Sequence, residues 1–208
     1  VGIAGPTGSG KTTLVNVILG LLEPHAGAVM VDDIQLRRSN LHQWQDAIGY
    51  VPQNIFLADD TIAANIAFGI PADRIDWASL ERACTCACLE EMIKSLPRRY
   101  NTRIGEGGVR LSGGQRQRLG IARALYRSPR ILVFDEATSA LDNLTEKYVL
   151  EAIETIKKDV TIILIAHRLT ALKSCDAIFY VDSGKVRGGG TFDELRESSA
   201  GFRAMDAI

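Results

Sequence analysis

The sequence predicts an α/β fold in which a mostly parallel sheet is flanked by helices and interrupted by an inserted all-helical subdomain. Short apolar strand patterns such as VGIAG, ILVFDE and VTIILIA alternate with helical patterns, which favours a parallel sheet covered on both faces. A glycine-rich loop directly follows the first strand. Helical patterns then dominate residues 58–126. We therefore expect an α/β core of residues 1–57 and 127–208, and a helical subdomain of residues 58–126.

The first part of the core follows a regular order along the chain. The strand VGIAG leads through the glycine loop into a helix expected over residues 11–22. PHAG predicts a turn and AVMVDD a strand, because the latter alternates and is rich in β-branched residues. LHQWQDA then indicates a short helix, and IGYV a strand that stops at Pro52.

The predicted insertion contains the helical patterns DDTIAANIAFG and IDWASLERACTCACLEEMIKSL, the second ending at Pro97. A glycine-rich loop then leads into a helix expected over residues 115–127. After Pro129 we expect the strand ILVFDE, a helix over residues 144–158, and the strands VTIILIAH, AIFYVD and GKVRGGG. The last helix, TFDELRES, begins with Thr191 and Glu194 at the spacing of a capping box.

Composition indicates a soluble globular protein. Of 208 residues, 46% are hydrophobic and 24% are charged, which is enough apolar material for a sizeable core. The net charge of -1 implies no bulk attraction to nucleic acid or to an anionic membrane. The longest apolar run, VTIILIA, is far shorter than the roughly 20 residues that cross a bilayer. We therefore predict no membrane span, and no signal peptide is visible.

The cysteines do not have the spacing of a metal or redox site. Cys84, Cys86 and Cys88 are two residues apart, unlike the Cys-x-x-Cys of structural zinc sites and redox pairs. On one continuous helix, Cys84 and Cys88 would share a face. We interpret these residues, together with Cys175, as small and mostly buried side chains of a protein kept in a reducing compartment.

The loop GPTGSGKT, residues 5–12, has the pattern G-x-x-x-x-G-K-[ST] with a strand before it and a helix after it. Glycines there let backbone N–H groups converge on a phosphate, and the positive end of the helix adds to the attraction. Lys11 is expected to reach the β- and γ-phosphates, and the Thr12 hydroxyl to bind Mg²⁺. The sequence thus predicts a P-loop NTPase core.

Four further residues follow core strands. Asp135 and Glu136 end the strand ILVFDE, where Asp135 can bind Mg²⁺ and Glu136 can deprotonate water. Gln53 and His167 each follow a strand, so both are expected at the ligand-binding edge of the sheet. Considered alone, the acidic pair is also typical of a turn at the end of a strand. Gln53 and His167, considered alone, are also typical of turn or packing residues.

LSGGQRQR, residues 111–118, predicts a second cradle for an anion, because a small polar turn runs into a basic helix. Taken alone, the stretch is equally compatible with a glycine turn followed by a solvated helix.

Five motifs occur along the chain in the order GPTGSGKT, VPQ, LSGGQRQR, ILVFDEATSALD and IAHR. Over nearly the whole chain, this order resembles the nucleotide-binding domain of an ATP-binding cassette transporter. The resemblance implies a role for each matching position. The ATP-binding residues would be Gly5, Pro6, Thr7, Gly8, Ser9, Gly10, Lys11, Thr12, Thr13 and Gln53. The Mg²⁺ ligands would be Thr12, Gln53 and Asp135. The catalytic residues would be the base Glu136 and the switch histidine His167. The signature motif would be Leu111, Ser112, Gly113, Gly114 and Gln115, and the D-loop Ser139, Ala140, Leu141 and Asp142.

The resemblance also implies partners and a location. Two such domains would pair head to tail, as a homodimer, so that the signature of one closes over ATP held by the other. TRIGEGG is similar to the X-loop of exporters, so Gln53 and Glu106 would contact transmembrane domains of the same transporter, at the cytoplasmic face of a membrane. No nucleic acid is expected. The implied function is an ATPase that powers an exporter or a flippase of lipids, oligosaccharides or peptides.

Two alternatives stay open at this point. One is a soluble cassette ATPase that acts on ribosomes or DNA, and the other is a module that binds ATP without hydrolysing it. The short insertion without heptads argues against the first, and the presence of Glu136 and His167 argues against the second. Because Val1 is not Met, we expect a piece of a longer polypeptide, with the family's adenine-stacking aromatic residue upstream of it.

Overall fold

The computed structural model describes residues 1–136, 160–166 and 169–205. The strands are β1 (Gly2–Ala4), β2 (Met30–Val31), β3 (Ile34–Gln35), β4 (Ile48–Val51), β5 (Ile131–Asp135), β6 (Thr161–Ile165), β7 (Ile178–Asp182) and β8 (Lys185–Gly190). The α-helices are α1 (Lys11–Ile18), α2 (Leu41–Asp46), α3 (Ile62–Ile66), α4 (Trp77–Cys86), α5 (Glu90–Ser95), α6 (Gly113–Tyr126), α7 (Phe192–Ser198) and α8 (Ala200–Ala204). Short 3₁₀ turns lie at Ala72–Arg74, Arg99–Asn101, Glu106–Gly108 and Leu169–Leu172.

The main sheet has the strand order β4-β5-β6-β1-β7-β8. The central strand β1 pairs in parallel with both β6 and β7, and all three of its residues are buried. Only the pairing of β7 with β8 is antiparallel among the registers resolved for this sheet in the described ranges. Strands β2 and β3 form a separate antiparallel pair. The predicted mostly parallel α/β fold is therefore confirmed.

The chain divides into two compact units. The first comprises Val1–Ile48, Val133–Glu136 and Thr161–Ile208, and the second Gly49–Leu132 and Ala137–Val160. Between residues 58 and 126 the elements are helices and 3₁₀ turns, joined by one isolated bridge between Thr61 and Arg103. The boundaries at residues 58 and 126 stay a prediction.

One buried cluster of the first unit includes residues of the C-terminal helices. It consists of Ala4, Leu169, Leu172, Ile178, Tyr180, Phe192, Leu195 and Phe202. The Phe202 ring lies edge-on to the rings of Tyr180 and Phe192, at centroid distances of 6.1 and 5.6 Å. Such edge-to-face pairs add to the free energy gained by burial.

The capping box predicted for the last pattern is confirmed at the start of α7. The Thr191 N–H donates to Glu194 Oε2 at 2.8 Å, and the Glu194 N–H donates to Thr191 Oγ1 at 3.4 Å. The hydrogen bond from the Thr191 N–H lowers the pKa of the Glu194 carboxyl, because it stabilises the ionised form.

Arg123 of α6 ties together two segments of the second unit. Its Nε donates to the carbonyl of Asn65 at 2.7 Å, and its Nη1 donates to the carbonyl of Phe56 at 2.7 Å. The guanidinium also lies 4.7 Å from the ring centroid of Phe68, a cation–π arrangement. The free energy of burying this charge is thus offset by satisfied N–H groups, although burial lowers the pKa of Arg123.

Two predicted helix boundaries are wrong. Helix α1 ends at Ile18 rather than near residue 22, because Trp44 Nε1 donates to the Ile18 carbonyl at 2.7 Å and Gly20 has φ 68°. The single helix expected up to Pro97 is two helices, α4 and α5, because Cys88 between them has φ 53°. Cys84 is buried in α4 as expected, but Cys88 lies beyond the helix end, so the two do not share a helical face.

Two further patterns begin or end elsewhere than predicted. The strand expected from AVMVDD is reduced to Met30–Val31, since Asp32 turns the chain with φ 51°. Helix α6 begins at Gly113, two residues before the predicted start. Within the described ranges, none of the helices has the length and apolar character needed to cross a bilayer.

We expect Phe202→Ala to lower the free energy of unfolding by about 3–5 kcal/mol, because it empties a site with 0% exposure against two aromatic neighbours. Urea unfolding followed by circular dichroism measures the change. Phe179→Ala is the matched control, since that ring belongs to the same unit but is 43% exposed, and its loss should be clearly smaller. Equal losses in the two variants would contradict the assignment of Phe202 to the core.

Candidate functional site

The glycine loop connects the buried strand β1 to helix α1. The loop covers residues 5–10, and Lys11 is the first helical residue. Gly8 and Gly10 have φ of 77° and 102°, values that a residue with a Cβ rarely adopts. Gly10 is the N-cap of α1 and provides no side-chain cap, so the first N–H groups of the helix are left for another acceptor. This arrangement is typical of an anion-binding helix terminus.

Gly5 lies where no side chain fits. A Cβ at this position would approach the Val181 carbonyl oxygen to 2.2 Å and Ser9 Oγ to 2.6 Å. Ser9 itself is 3% exposed, and its hydroxyl has no hydrogen-bond partner among the described residues. The loop is closed by the Ser9 N–H, which donates to the Pro6 carbonyl at 3.1 Å. The loop is therefore tightly packed and still has a hydroxyl that can donate to an anion.

The turn between β7 and β8 supports the loop from one side. The Gly184 N–H donates to the Ser9 carbonyl at 2.9 Å. Ser183 and Gly184 have φ of 51° and 73°, as expected for a type I′ hairpin turn. Sequence reasoning missed this contact, although VDSGK between two predicted strands was a recognisable hairpin signal. Gly184 is thus a positioning residue for the phosphate loop.

Lys11 is held inside the loop. Its Nζ donates to the carbonyls of Gly5 and Pro6 at 2.8 and 3.0 Å, and the residue is only 6% exposed. Burial lowers the pKa of the Lys11 amine, and attraction to Glu136 and Asp135 opposes that shift. The structure therefore brings together three of the residues predicted from sequence, one cation and two carboxylates, within a single unit.

Asp135 and Glu136 at the end of β5 differ in burial and in backbone conformation. Asp135 is the last residue of β5 and is 8% exposed. Glu136 is more exposed and has φ 52°, a conformation that is rare for a residue with a Cβ and is often found at functional sites. Its N–H donates to the Ile165 carbonyl at 2.9 Å, which fixes the chain as it leaves the strand.

The donor set near Lys11 fits Mg²⁺. This ion is usually held by one or two carboxylates together with substrate phosphates and water, rather than by a protein cage. Asp135 supplies one such carboxylate, and the exposed Thr12 supplies a hydroxyl in the first turn of α1. In the described parts of the chain, no cluster of three or more His, Cys, Asp or Glu residues could hold a metal alone.

The second predicted cradle is the start of α6. Ser112 is its N-cap: the Gln115 N–H donates to Ser112 Oγ at 3.2 Å, and the Ser112 N–H donates to Gln115 Oε1 at 2.9 Å. This capping box already occupies two backbone donors. The Ser112 hydroxyl keeps its own proton for donation, and nothing lies within 4 Å of a Cβ placed on Gly113. Ser112 and Gly113 are both exposed, while Leu111 and Gly114 are half-buried.

The remaining predicted residues fall into two groups. In the described part of the chain, Pro6, Thr7 and Thr13 are exposed in or beside the phosphate loop, Gln53 is exposed after β4, and Glu106 is exposed in a 3₁₀ turn. Gln53 and Glu106 belong to the Gly49–Leu132 unit. His167 and the D-loop residues Ser139, Ala140, Leu141 and Asp142 lie outside the described residues. Their roles stay predictions.

Comparison with known proteins identifies the family of the chain. A family model described as "ABC transporter" matches residues 1–139. The chain is 42% identical over 209 residues to the ATP-dependent lipid A-core flippase of Cupriavidus pinatubonensis, covering 100% of this chain and 35% of the flippase. It is 45% identical over 208 residues to the flippase of the same name from Burkholderia thailandensis, covering 100% of this chain and 34% of that protein.

Two further matches extend the comparison. The chain is 42% identical over 206 residues to the ABC transporter ATM1 of Toxoplasma gondii, covering 99% of this chain and 18% of that protein. A solved structure of a bacterial Atm1-family ABC exporter with ATP bound matches with a TM-score of 0.92 and 36% identity, over 99% of this chain and 36% of the other. The chain thus spans about a third or less of the length of these relatives.

We expect Gly5→Ala to weaken ATP binding by more than about tenfold, because its Cβ meets a backbone oxygen that no side-chain rotation can move. Calorimetric titration with ATP measures the affinity. The control is Gly27→Ala, at an exposed position of the same unit with φ 82° and nothing within 4 Å of a Cβ. It should lower stability by roughly 1 kcal/mol and leave affinity unchanged. Wild-type affinity in Gly5→Ala would contradict the packing described for the loop.

Proposed function

We propose that this chain, which belongs to the ABC transporter family, is the ATP-hydrolysing module of a membrane exporter or flippase and works by ATP-driven pairing of two copies. The observation that carries the proposal is the buried Lys11 amine, which lies in the phosphate loop under the electrostatic influence of Asp135 and Glu136. A cation for phosphate oxygens and carboxylates beside it are the groups that phosphoryl transfer to water requires.

In this proposal the phosphate loop binds the β- and γ-phosphates of ATP. The backbone N–H groups of residues 5–10 and the start of α1 supply hydrogen bonds, and Lys11 adds a charge. Thr13 lies beside them in the first turn of α1. Bound Mg²⁺, held by Thr12, Asp135 and Gln53, would neutralise charge on the phosphates.

Glu136 is proposed as the general base. Its half-exposed carboxylate follows the carboxylate of Asp135, so it can accept a proton from a water molecule that attacks the γ-phosphate. The positive φ of Glu136 supports this role, because the turn directs the chain out of the strand at that residue. His167 is proposed to contact the γ-phosphate.

The second cradle, residues 111–115, is proposed to act on the ATP held by another copy of the domain. The exposed Ser112 hydroxyl and the open space at Gly113 support this role, because both face away from the chain's own packing. Two such contacts related by a twofold axis would make ATP part of the interface. Hydrolysis would then remove the γ-phosphate contact that holds the two copies together, and the pair would open.

Coupling and location complete the proposal. Gln53 and Glu106 are proposed to contact transmembrane domains of the same transporter at the cytoplasmic face of a membrane, with no role for nucleic acid. The names of the relatives favour export or lipid flipping, and the alternative of a soluble ATPase on ribosomes or DNA finds no support among them. Transport itself belongs to the whole protein, of which this chain corresponds to a part.

We expect Glu136→Gln to keep ATP binding and to lower turnover by about 10²–10⁴-fold, because Gln has nearly the same shape but cannot accept the proton of water. Phosphate release and retained nucleotide are measured in the same preparation. Glu197→Gln is the control, since it removes an exposed carboxylate from α7 of the same unit. Normal turnover in Glu136→Gln would remove this residue from the role of base.

We expect Ser112→Arg to leave the ATP affinity of the monomer nearly unchanged while ATP-induced dimerisation and hydrolysis fall, because a bulky side chain replaces a small hydroxyl in the proposed interface. Light scattering in a Glu136→Gln background reports the dimer, and titration reports the affinity.

Ser112→Ala separates this effect from loss of the helix cap, which costs about 1 kcal/mol of stability. It should lower stability as Ser112→Arg does, but weaken dimerisation less, because it removes the hydroxyl without adding bulk to the proposed interface. A parallel loss of monomer affinity in Ser112→Arg would instead indicate that the second cradle acts within its own chain.

A further inference from the structure

The C-terminal end of α1 is hydrogen-bonded by side chains from another helix. Trp44 Nε1 donates to the Ile18 carbonyl at 2.7 Å, and Gln45 Nε2 donates to the Leu19 carbonyl at 3.3 Å. Both donors lie in α2, in the same unit as α1. Neither residue belongs to the motifs assigned above.

The other carbonyls at this end of α1 are also paired. Those of Val15, Asn16 and Val17 accept from backbone N–H groups of residues 19–21 at 2.8–3.0 Å. A helix end normally leaves its last four carbonyls without partners inside the helix. Here every carbonyl from residue 15 to residue 19 has one. Helix α2 is also packed closely against this end, because a Cβ on Gly20 would lie 2.3 Å from Leu41 Cδ1.

A column of hydrogen bonds joins the two ends of α1. The peptide group with the Ile18 carbonyl also carries the Leu19 N–H, which donates to the Val15 carbonyl at 2.8 Å. In a regular α-helix, one more step of this kind reaches the peptide group that carries the Thr13 N–H. Thr13 lies in the first turn of α1, where the N-cap glycine offers no side-chain acceptor. The column that begins at the Trp44 indole therefore ends at a backbone donor of the proposed ATP site.

Hydrogen bonds in such a column strengthen one another, because an amide that accepts a bond at its carbonyl becomes a stronger donor at its N–H. The donors from α2 also offset the partial negative charge at the C-terminal end of α1, as a phosphate offsets the positive charge at the other end. Helix α1 has only eight residues, so the two ends are about 12 Å apart. Phosphate binding and the bonds from α2 should therefore favour each other, and this coupling is reciprocal.

We propose that Trp44 and Gln45 are positioning residues for the proposed ATP site: through α1, they strengthen the hydrogen bonds of the first-turn N–H groups to a nucleotide phosphate. The inference rests on the proposed binding of ATP by the phosphate loop. It adds two residues that act from the opposite end of the phosphate-binding helix.

The first test follows the indole N–H groups of Trp44 and Trp77, the two tryptophans of the chain, by ¹H–¹⁵N NMR while Mg-ADP is titrated into the full chain. ADP supplies phosphates for the loop without the γ-phosphate proposed for pairing. We expect the Trp44 indole proton to shift downfield as its hydrogen bond strengthens. Trp77, which is 45% exposed and lies in the other unit, is the internal reference. A Trp44 signal that moves no more than that of Trp77 would refute the inference.

The second test measures the affinity for Mg-ADP by calorimetric titration. Trp44→Phe keeps an aromatic ring and removes the N–H donor, so it should weaken binding by about two- to fivefold. Trp77→Phe is the matched control and should bind as the wild type does. Equal affinity in Trp44→Phe and Trp77→Phe would contradict the proposed role of the indole.

Opposite charges at Gln45 separate positioning from a purely structural role. Gln45→Arg keeps N–H donors and adds a positive charge at the C-terminal end of α1, so it should bind Mg-ADP at least as tightly as the wild type. Gln45→Glu replaces the donor with a negative charge and should weaken binding by about two- to fivefold. Urea unfolding reports the stability of each variant. If both substitutions changed affinity in the same direction, Gln45 would have a structural role only, and the inference would be wrong.

These measurements also distinguish this inference from the proposed function. Absence of Mg-ADP binding by the wild type would overturn the proposed function and this inference together. Binding by the wild type, with no loss of affinity in Trp44→Phe and Gln45→Glu, would overturn this inference alone.

Discussion

The candidate site depends on keeping one ammonium group almost out of water. Burial of the Lys11 amine is unfavourable, and it is tolerated because two loop carbonyls accept its protons and two carboxylates attract it. The carbonyls come from the loop after β1, whereas the carboxylates come from the end of β5. Strand β6 lies between β1 and β5 in the sheet. The charge balance around Lys11 therefore requires the sheet to have formed in this order.

The two predicted anion cradles differ in how many backbone N–H groups at the helix N-terminus are already hydrogen-bonded to a side chain. Helix α1 begins after a glycine that offers no side-chain acceptor, so its first N–H groups are reserved for a ligand. Helix α6 begins with a reciprocal Ser112 and Gln115 box that already occupies two donors. The first cradle can bind an anion with backbone groups alone, whereas the second relies more on the Ser112 hydroxyl and on the space above Gly113. This difference agrees with one cradle that holds the ligand and another that closes over it.

Sequence patterns predicted the features whose cause is local. The phosphate loop, the carboxylates after β5 and the Thr191 capping box each follow from residues within a few positions of one another, and the fold class follows from their alternation with helices. The contacts of Val181 and Gly184 with the loop were missed because they join distant parts of the chain. The break at Cys88 could not be predicted either, because cysteine has no preference for positive φ and the helical pattern continues across it. The early end of α1 does have a local cause, because Gly20 adopts the left-handed conformation that often follows a helix and its N–H donates to the Val17 carbonyl at 3.0 Å. The apolar residues that follow Gly20 led to the prediction of a longer helix.

The hairpin turn that donates a hydrogen bond to the phosphate loop affects the order in which parts of the protein can fold. Within this chain, the glycine loop is translated well before Gly184, whose N–H braces it. The flanking strands β6 and β7 are also translated late. The nascent loop therefore has no brace until the hairpin of β7 and β8 has been synthesised. A ribosome that stalls before the hairpin would leave a chain with the complete nucleotide motif and no rigid loop to use it.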